Sequence, residues 1–260
     1  MNATGRLAVG VIGAGGVGVA MAQALAGAGH LLLGITAISQ ESRDRVEAQL
    51  PEVEVLTIGE VLARAELVIL AIPETELEAV IGGFSEAHLW KAGQLVAHTS
   101  AAHGYTVLSS AAQQGVIPLA IHPSMRFTGT SVDVARLRES FCAVSAPKVA
   151  LPIAQALVIE MGAEPVVITE EQRAAYAEAF EVATNFSAMV VNQAIGLLED
   201  AGIENARGII APSVRSAVER ALDDGHTPID TAKLFDGKAG NGETDRGSLG
   251  GSDFETGDDR

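Results

Sequence analysis

The residues best suited to chemistry stand near the start of the chain. Val9-Gly10-Val11-Ile12-Gly13-Ala14-Gly15-Gly16-Val17-Gly18 sets glycines at the GxGxxG spacing, after an apolar run and at the opening of a helical pattern. Gly13 allows a tight turn, Gly15 lets the backbone approach a pyrophosphate, and Gly18 lets the helix pack on the strand. The amides of Gly16 and Val17 open that helix, where free N–H groups and the helix dipole favour phosphate. A glycine turn needed only for packing has the same spacing, so the strand-loop-helix context carries the reading.

The second apolar run leads into Ser39-Gln40-Glu41-Ser42-Arg43. An NAD site usually has Asp or Glu at the end of this strand to accept from the ribose hydroxyls. Ser39 stands in that place, and Ser42 and Arg43 are positioned to hold a 2′-phosphate by charge-assisted hydrogen bonds. The cofactor expected is NADP, with NAD possible if Glu41 is the ribose ligand. The plain alternative makes Arg43 and Arg45 a solvated helix face.

Three further loops fall at strand ends, where ligands sit in such sheets. Ala71-Ile72-Pro73 is expected to run beside the nicotinamide half of the cofactor. Ser100, in His98-Thr99-Ser100-Ala101-Ala102-His103, is expected to bind the polar end of a substrate. His122, before Pro123-Ser124-Met125, is the expected proton donor, because imidazole titrates near neutral pH. Asn185 offers a donor and an acceptor that orient a carbonyl or imine without titrating. Each has a structural alternative: His98 in the core, His103 as a helix cap, His122 on a backbone carbonyl, Asn185 between helices.

The elements that position these residues alternate along the first 168 positions. Strands are expected at Leu7–Ile12, Leu31–Ser39, Val53–Leu56, Leu67–Ile72, Gln94–His98, Val116–Ile121, Phe141–Val144 and Pro165–Ile168, with helical patterns between them. That rhythm predicts an α/β fold, a Rossmann-type mostly parallel sheet followed by a smaller all-helical domain. Capping boxes are expected at Thr57 with Glu60, Thr75 with Glu78 and Thr169 with Gln172. A helix is predicted over Glu170–Asp200, stopped by Gly202, and a second over Pro212–Leu222, stopped by Gly225. On the first, Asn185 falls about half a turn around from Tyr176, so it is expected to face away from that ring, across a dimer cleft.

The domains expected are residues 1–168 for the dinucleotide, 169–235 for dimerisation and the substrate cleft, and 236–260 as a disordered acidic tail. The tail holds seven glycines and seven acidic residues, with Ala239, Leu249 and Phe254 its apolar ones. The net charge of -16 opposes nucleic acid and anionic membranes. A single cysteine, Cys142, rules out an internal disulfide, and no Cys/His spacing predicts a metal. The charge-free stretch Leu7–Gln40 can pass for a leader or a membrane span; its glycine density fits a buried first strand and loop better. The expectation is a cytoplasmic homodimer acting on a small molecule.

Taken together, Val11-Ile12-Gly13-Ala14-Gly15-Gly16-Val17-Gly18, Leu70-Ala71-Ile72-Pro73, His98-Thr99-Ser100-Ala101, Leu119-Ala120-Ile121-His122-Pro123, and Tyr176 followed by Ala183-Thr184-Asn185 resemble the 6-phosphogluconate dehydrogenase-like group. That group includes pyrroline-5-carboxylate reductase and ketopantoate reductase. The likeness is strongest to a bacterial Rossmann-like family whose helical C-terminal half is a domain of unknown function. The resemblance, over roughly residues 7 to 225, implies NADP binding, a cleft between domains and dimerisation through the helical half. It implies no substrate. Several relatives carry a catalytic lysine on the long helix, whereas this chain has no lysine between Val149 and Ala232. Relatives also often have His after the tyrosine, where this chain has Ala177.

Two functions of different class follow. One is a reductase or dehydrogenase moving hydride between NADP and a small carbonyl or imine. The other is a non-catalytic dinucleotide-binding sensor or scaffold, toward which the missing lysine and the tail weigh. A methyltransferase, whose glycine loop is similar, ranks below both.

Overall fold

The computed structural model describes residues 6–225. The chain falls into two compact units, Met1–Asn192 and Gln193–Arg260. The expected tail from Asp236 lies outside the described residues.

The first unit is built on seven strands: β1 (Ala8–Ile12), β2 (Leu31–Thr36), β3 (Leu67–Leu70), β4 (Leu95–His98), β5 (Ile117–Pro123), β6 (Phe141–Ser145) and β7 (Glu164–Val167), in the order β2-β1-β3-β4-β5-β6-β7. β2, β1, β3, β4 and β5 are parallel; β6 pairs antiparallel with β5 and parallel with β7. The central strands are short apolar runs buried throughout, as Leu67–Leu70 is, which is the pattern of a sheet covered on both faces.

Alternation along the strands sends Val9, Val11, Leu67, Ile69, Ala97 and Ile121 into one core with Met21, Leu25 and Leu157. Ile12, Val68, Leu70 and Val96 enter the other, with Val61, Leu77, Ile81 and Trp90. Each fully buried Leu or Ile contributes roughly 1.5–3 kcal/mol. The helices over these faces are α1 (Gly16–Gly27), α2 (Gln40–Gln49), α3 (Ile58–Arg64), α4 (Glu74–Glu86), α5 (Ser109–Ala112), α6 (Val132–Arg138) and α7 (Leu151–Glu160). Chain order reverses on either side of β1, so the loops leaving β1 and β3 run to helices on opposite faces and open the crevice in which such sheets bind ligands.

Several expectations are corrected. Val53–Leu56 is no strand; only Val55 bridges to Ile35. β2 ends at Thr36 rather than Ser39, where the Thr36 hydroxyl accepts the Gly13 amide and the chain leaves the sheet. Thr57 and Glu60 do form a capping box. Thr75 and Glu78 do not: α4 opens at Glu74 behind Pro73, which puts Thr75 already inside the helix. Thr169 donates its amide to the Gln172 side chain, yet the helix proper starts at Arg173.

The long helix is α8 (Arg173–Glu181), a π turn (Val182–Phe186) and α9 (Ser187–Asp200). At the π turn the Thr184 hydroxyl donates to the Phe180 carbonyl at 2.8 Å. Such back-bonding takes an acceptor the backbone ladder would use and bends the helix. In the second unit, α10 runs Ala206–Asp223 with Pro212 inside it, not at its start. Gly202 and Gly225, with φ of 74° and 67°, follow α9 and α10 as expected.

Candidate functional site

Gly13 carries a φ of 107°, and a Cβ there would collide with the Ala71 carbonyl oxygen, so the turn that joins β1 to α1 tolerates only glycine. Gly18 packs against the Gly13 carbonyl just as tightly. Gly15 is different: a Cβ built there meets nothing within 4 Å, leaving the space in front of the loop open.

Gly15 is also the N-cap of α1, and no side chain caps that helix. In contrast, Ser39 caps α2 by accepting the Ser42 amide at 3.1 Å, and Thr57 caps α3. The amides of the first turn of α1 thus keep their donor capacity for an anion. Arg45, on α2, reaches over this loop: its Nη1 donates to the Ala14 carbonyl at 2.8 Å, and its Nη2 pairs with Glu41 at 2.7 Å. The Met125–Thr130 loop closes the other side, with the Cβ of Phe127 beside Gly16. Buried Asp133 holds that loop by accepting the amides of Thr128 and Gly129.

A cleft of about 840 Å³ runs from Gly16, Val17 and Arg45 past Ile72, Glu74 and Ser100 to His122, Thr184 and Asn185. All belong to the first unit. Of the residues singled out by sequence, Gly16, Val17, Ile72, Ser100, His122 and Asn185 line this cleft. Gly13, Gly15 and Gly18 form the loop at its end, and Ala71 and Pro73 flank Ile72 without lining it. Ser39, Ser42 and Arg43 lie outside the lining, after β2. The Ser42 hydroxyl donates to the Ser39 carbonyl, while Arg43 is exposed with one long contact to the Ala37 carbonyl.

Ser100 sits in a dense network. Its hydroxyl donates to Glu74, which also accepts the Ala102 amide at 3.2 Å. The same hydroxyl lies 2.9 Å from His103 Nδ1, and His103 Nε2 lies 3.5 Å from Glu78. Burial pushes the Glu74 pKa up, but the Ser100 hydroxyl, the Ala102 amide and nearby His103 outweigh it and hold the carboxyl below its ordinary value. His98 is a core residue, as its place in β4 predicted: it is buried, bonds the Gly104 carbonyl at 2.9 Å, and is pushed down to about 4.

His122 is not the near-neutral acid expected of it. Burial first, and then the charge of Arg173, push its pKa down to about 4, so the ring is uncharged at neutral pH. Its Nδ1 lies 2.8 Å from the Tyr176 hydroxyl, which lies 2.6 Å from Ser124 Oγ. The ring also meets Phe180 edge-on, with centroids 4.9 Å apart. Nor does Asn185 look away from this centre. Ala177, Glu181, Thr184 and Asn185 share one face of the helix and line the same cleft as His122.

The family models divide the chain between β5 and β6, inside the first unit. Residues 2–123 match a Rossmann-like domain. Residues 140–231 match a domain of unknown function, DUF2520. Between them the two models match most of the chain, each less than half of it. No curated protein matches its sequence. Among solved structures it is similar to a protein of Bacteroides fragilis provisionally named an NADP oxidoreductase, with a TM-score of 0.67 at 19% identity over 84% of this chain and 81% of that one. It is also similar to a 1-pyrroline-5-carboxylate reductase of Streptococcus pyogenes, with a TM-score of 0.63 at 17% identity over 90% and 87%. An NADH-preferring ketol-acid reductoisomerase from an uncultured archaeon gives a TM-score of 0.64 at 19% identity over 88% and 74%. At these identities the likeness is one of fold.

The DUF2520 part supplies side chains that the sequence did not mark as functional. Arg173 is 3% exposed and lies over the Tyr176 ring, 5.8 Å from its centroid. Tyr176 was legible on the predicted helix and among the residues that carry the resemblance, but not as the hydrogen-bond partner of a residue 54 positions away. Arg45 read as a solvated cation. Its spacing of four residues from Glu41 was the one available sign that it would be held in place. No membrane-crossing helix and no cluster of three metal-ligating side chains occurs among the described residues.

Proposed function

We propose that this chain is an NADP-dependent oxidoreductase acting on a small carbonyl or imine. The observation that carries the reading is the continuity of the cleft. An uncapped α1 N-terminus with open space before Gly15 lies at one end, and polar, substrate-sized lining with His122 lies at the other. Gly13, Gly15, Gly16, Val17 and Gly18 would hold the pyrophosphate, and Arg45 would close over it. Ala71, Ile72 and Pro73 would flank the nicotinamide. Bound there, that ring supplies or takes up a hydride.

The residues of this chain do the rest. Ser100 and Asn185 bind and orient the substrate's polar atoms, and His122 faces the atom that gains or loses a proton. Thr36, Ala37, Ile38 and Ser39 bring no carboxylate to the end of β2, and Glu41 is engaged by Arg45. Exposed Arg43 is placed to meet a 2′-phosphate, beside Ser39 and Ser42 of the α2 cap, which supports NADP over NAD.

Two copies would pair through the helical region. α9 buries none of its residues, and Met189, Val190 and Leu197 are 57%, 61% and 65% exposed. An apolar stripe of this kind on a helix is covered by another helix. The occupant proposed for it is a second copy of this chain. Light scattering at micromolar concentration should give a dimer, and a monomer would contradict the pairing.

A screen of small carbonyl and imine compounds that follows NADPH absorbance tests the activity. Consumption dependent on His122 supports an enzyme. NADPH binding with no turnover across the screen favours a sensor or scaffold instead.

A further inference from the structure

Arg173 is a buried cation with too few partners. Its Nη2 donates to Ser145 Oγ at 3.2 Å, while Nε and Nη1 have no hydrogen-bond partner. The Glu170 carboxylate has no direct hydrogen bond to the guanidinium, which it meets through Ser145, and it is already taken up by the Tyr105 amide and the Thr106 hydroxyl. Unsatisfied donors on a buried charge are costly to keep, and call for an explanation. The guanidinium lies against the Tyr176 ring, and the Tyr176 hydroxyl touches both His122 Nδ1 and Ser124 Oγ.

An uncharged imidazole poses a chemical problem at this position. If it gives up its one N–H proton, an imidazolate is left, unless a second proton reaches the other nitrogen at the same time. Tyr176 stands at that other nitrogen. His122 Nε2 has no hydrogen-bond partner among the described residues, and His122 lines the cleft.

We propose that Ser124, Tyr176 and His122 form a proton relay into the cleft, with Arg173 as the fixed counter-ion of the tyrosine; this rests on the hydride-transfer reading above. As the substrate carbon accepts hydride from the reduced nicotinamide, its oxygen or nitrogen takes the proton of His122 Nε2. The Tyr176 O–H bond breaks, and its proton moves to Nδ1, so the imidazole stays neutral. The phenolate left behind accepts from the Ser124 hydroxyl and faces Arg173; it then takes its proton back from Nδ1 as a solvent proton from the cleft reaches Nε2, which restores the starting tautomer. Oxidation runs the same chain backwards, with Nε2 as the acceptor. The relay accounts for an active centre with no lysine on its long helix.

The charged and titratable groups facing this pair are Arg173 and Glu74 around His122, and Arg173 and Cys142 around Tyr176. Burial raises the Tyr176 pKa, while Ser124 and Arg173 pull it back down.

The chain has two tyrosines, so in a Tyr105→Phe background ultraviolet titration reads Tyr176 alone. Arg173→Met should move its ionisation up by about one pH unit or more, since an opposing charge at this range shifts a pKa by that order. Arg173→Lys should restore most of the shift. Nitrogen NMR at neutral pH should show His122 Nδ1 bare and Nε2 protonated, and Tyr176→Phe should mix the two tautomers. Neither measurement needs cofactor or substrate, so both stand or fall apart from the dinucleotide reading. In a turnover assay, Tyr176→Phe should lower kcat about 10²-fold with KM unchanged. Unchanged ionisation of Tyr176 in Arg173→Met, a protonated Nδ1 in the wild type, or full turnover by Tyr176→Phe would each overturn the relay. Should Arg173→Met fail to fold, the tautomer state in Tyr176→Phe, which keeps the ring, decides alone.

Discussion

The two ends of the cleft are made of different material. The glycine end is backbone: a turn that admits no Cβ at Gly13, an open approach at Gly15, and the free amides of α1. The far end is side chain: His122 from β5, Ser124 just after it, and Tyr176, Arg173 and Asn185 from a helix some fifty positions later. Backbone sites depend on local conformation, which a few adjacent residue types dictate. Convergent side-chain sites depend on packing between distant segments. On the function proposed here the first end binds, and the second is where an uncharged histidine must be managed.

The largest effect expected at the histidine end concerns stability. His98 and His122 titrate at about 4 in the folded chain against 6.5 unfolded. Between those values the unfolded chain binds more protons, so stability is full above about 6.5 and is lost as the pH falls toward 4. The loss amounts to at most about 3 kcal/mol for each ring. Denaturant midpoints measured across that range should fall steeply, and a flat profile would mean that the rings are not held neutral.

Next come the two candidate catalytic groups. His122→Ala and Asn185→Ala should each lower kcat about 10²-fold while NADPH affinity is kept, because neither belongs to the glycine end. If either variant turns over at the wild-type rate, its role is wrong. If both lose NADPH instead, the division between the two ends is wrong.

Gly15→Ala probes the backbone end in isolation. The added methyl meets nothing within 4 Å, and the Gly15 backbone is extended, so thermal stability should be kept. The methyl occupies the space a pyrophosphate would use, so NADPH should bind about tenfold weaker or worse. Lost stability, or unchanged affinity, would show that the open space has another purpose.

This contrast also explains what could be read from the residues. GxGxxG, the alternation of strands and helices, and the burial of His98 follow from local pattern and came through. The end of β2 was misjudged by three residues because Ala37 and Ile38 continue the apolar run. What stops the strand is a tertiary bond, Gly13 amide to Thr36 hydroxyl. The near-neutral titration expected of His122 fails for the same kind of reason: its pKa is pushed down first by burial, against Phe180 and Tyr176 among others, and then by the charge of Arg173, none of which is near it in sequence. The half-turn separation of Tyr176 and Asn185 was sound arithmetic. In the structure Asn185 lines the cleft on the face it shares with Ala177, Glu181 and Thr184, while Tyr176 bonds His122 without lining it; what no spacing rule announces is the π turn between them.

The smallest effect expected is at Arg43. Its side chain is exposed, so Arg43→Ala should weaken NADPH several-fold and leave NADH unchanged, a charge-assisted bond in solvent being worth about 1 kcal/mol. Equal loss for both cofactors would place Arg43 elsewhere than at the 2′-phosphate.

The most direct test of the account is calorimetric titration of the wild-type protein with NADPH, NADH and S-adenosylmethionine. The account predicts one NADPH per chain, bound more tightly than NADH, and no binding of S-adenosylmethionine. Binding of S-adenosylmethionine, or of none of the three, would contradict it.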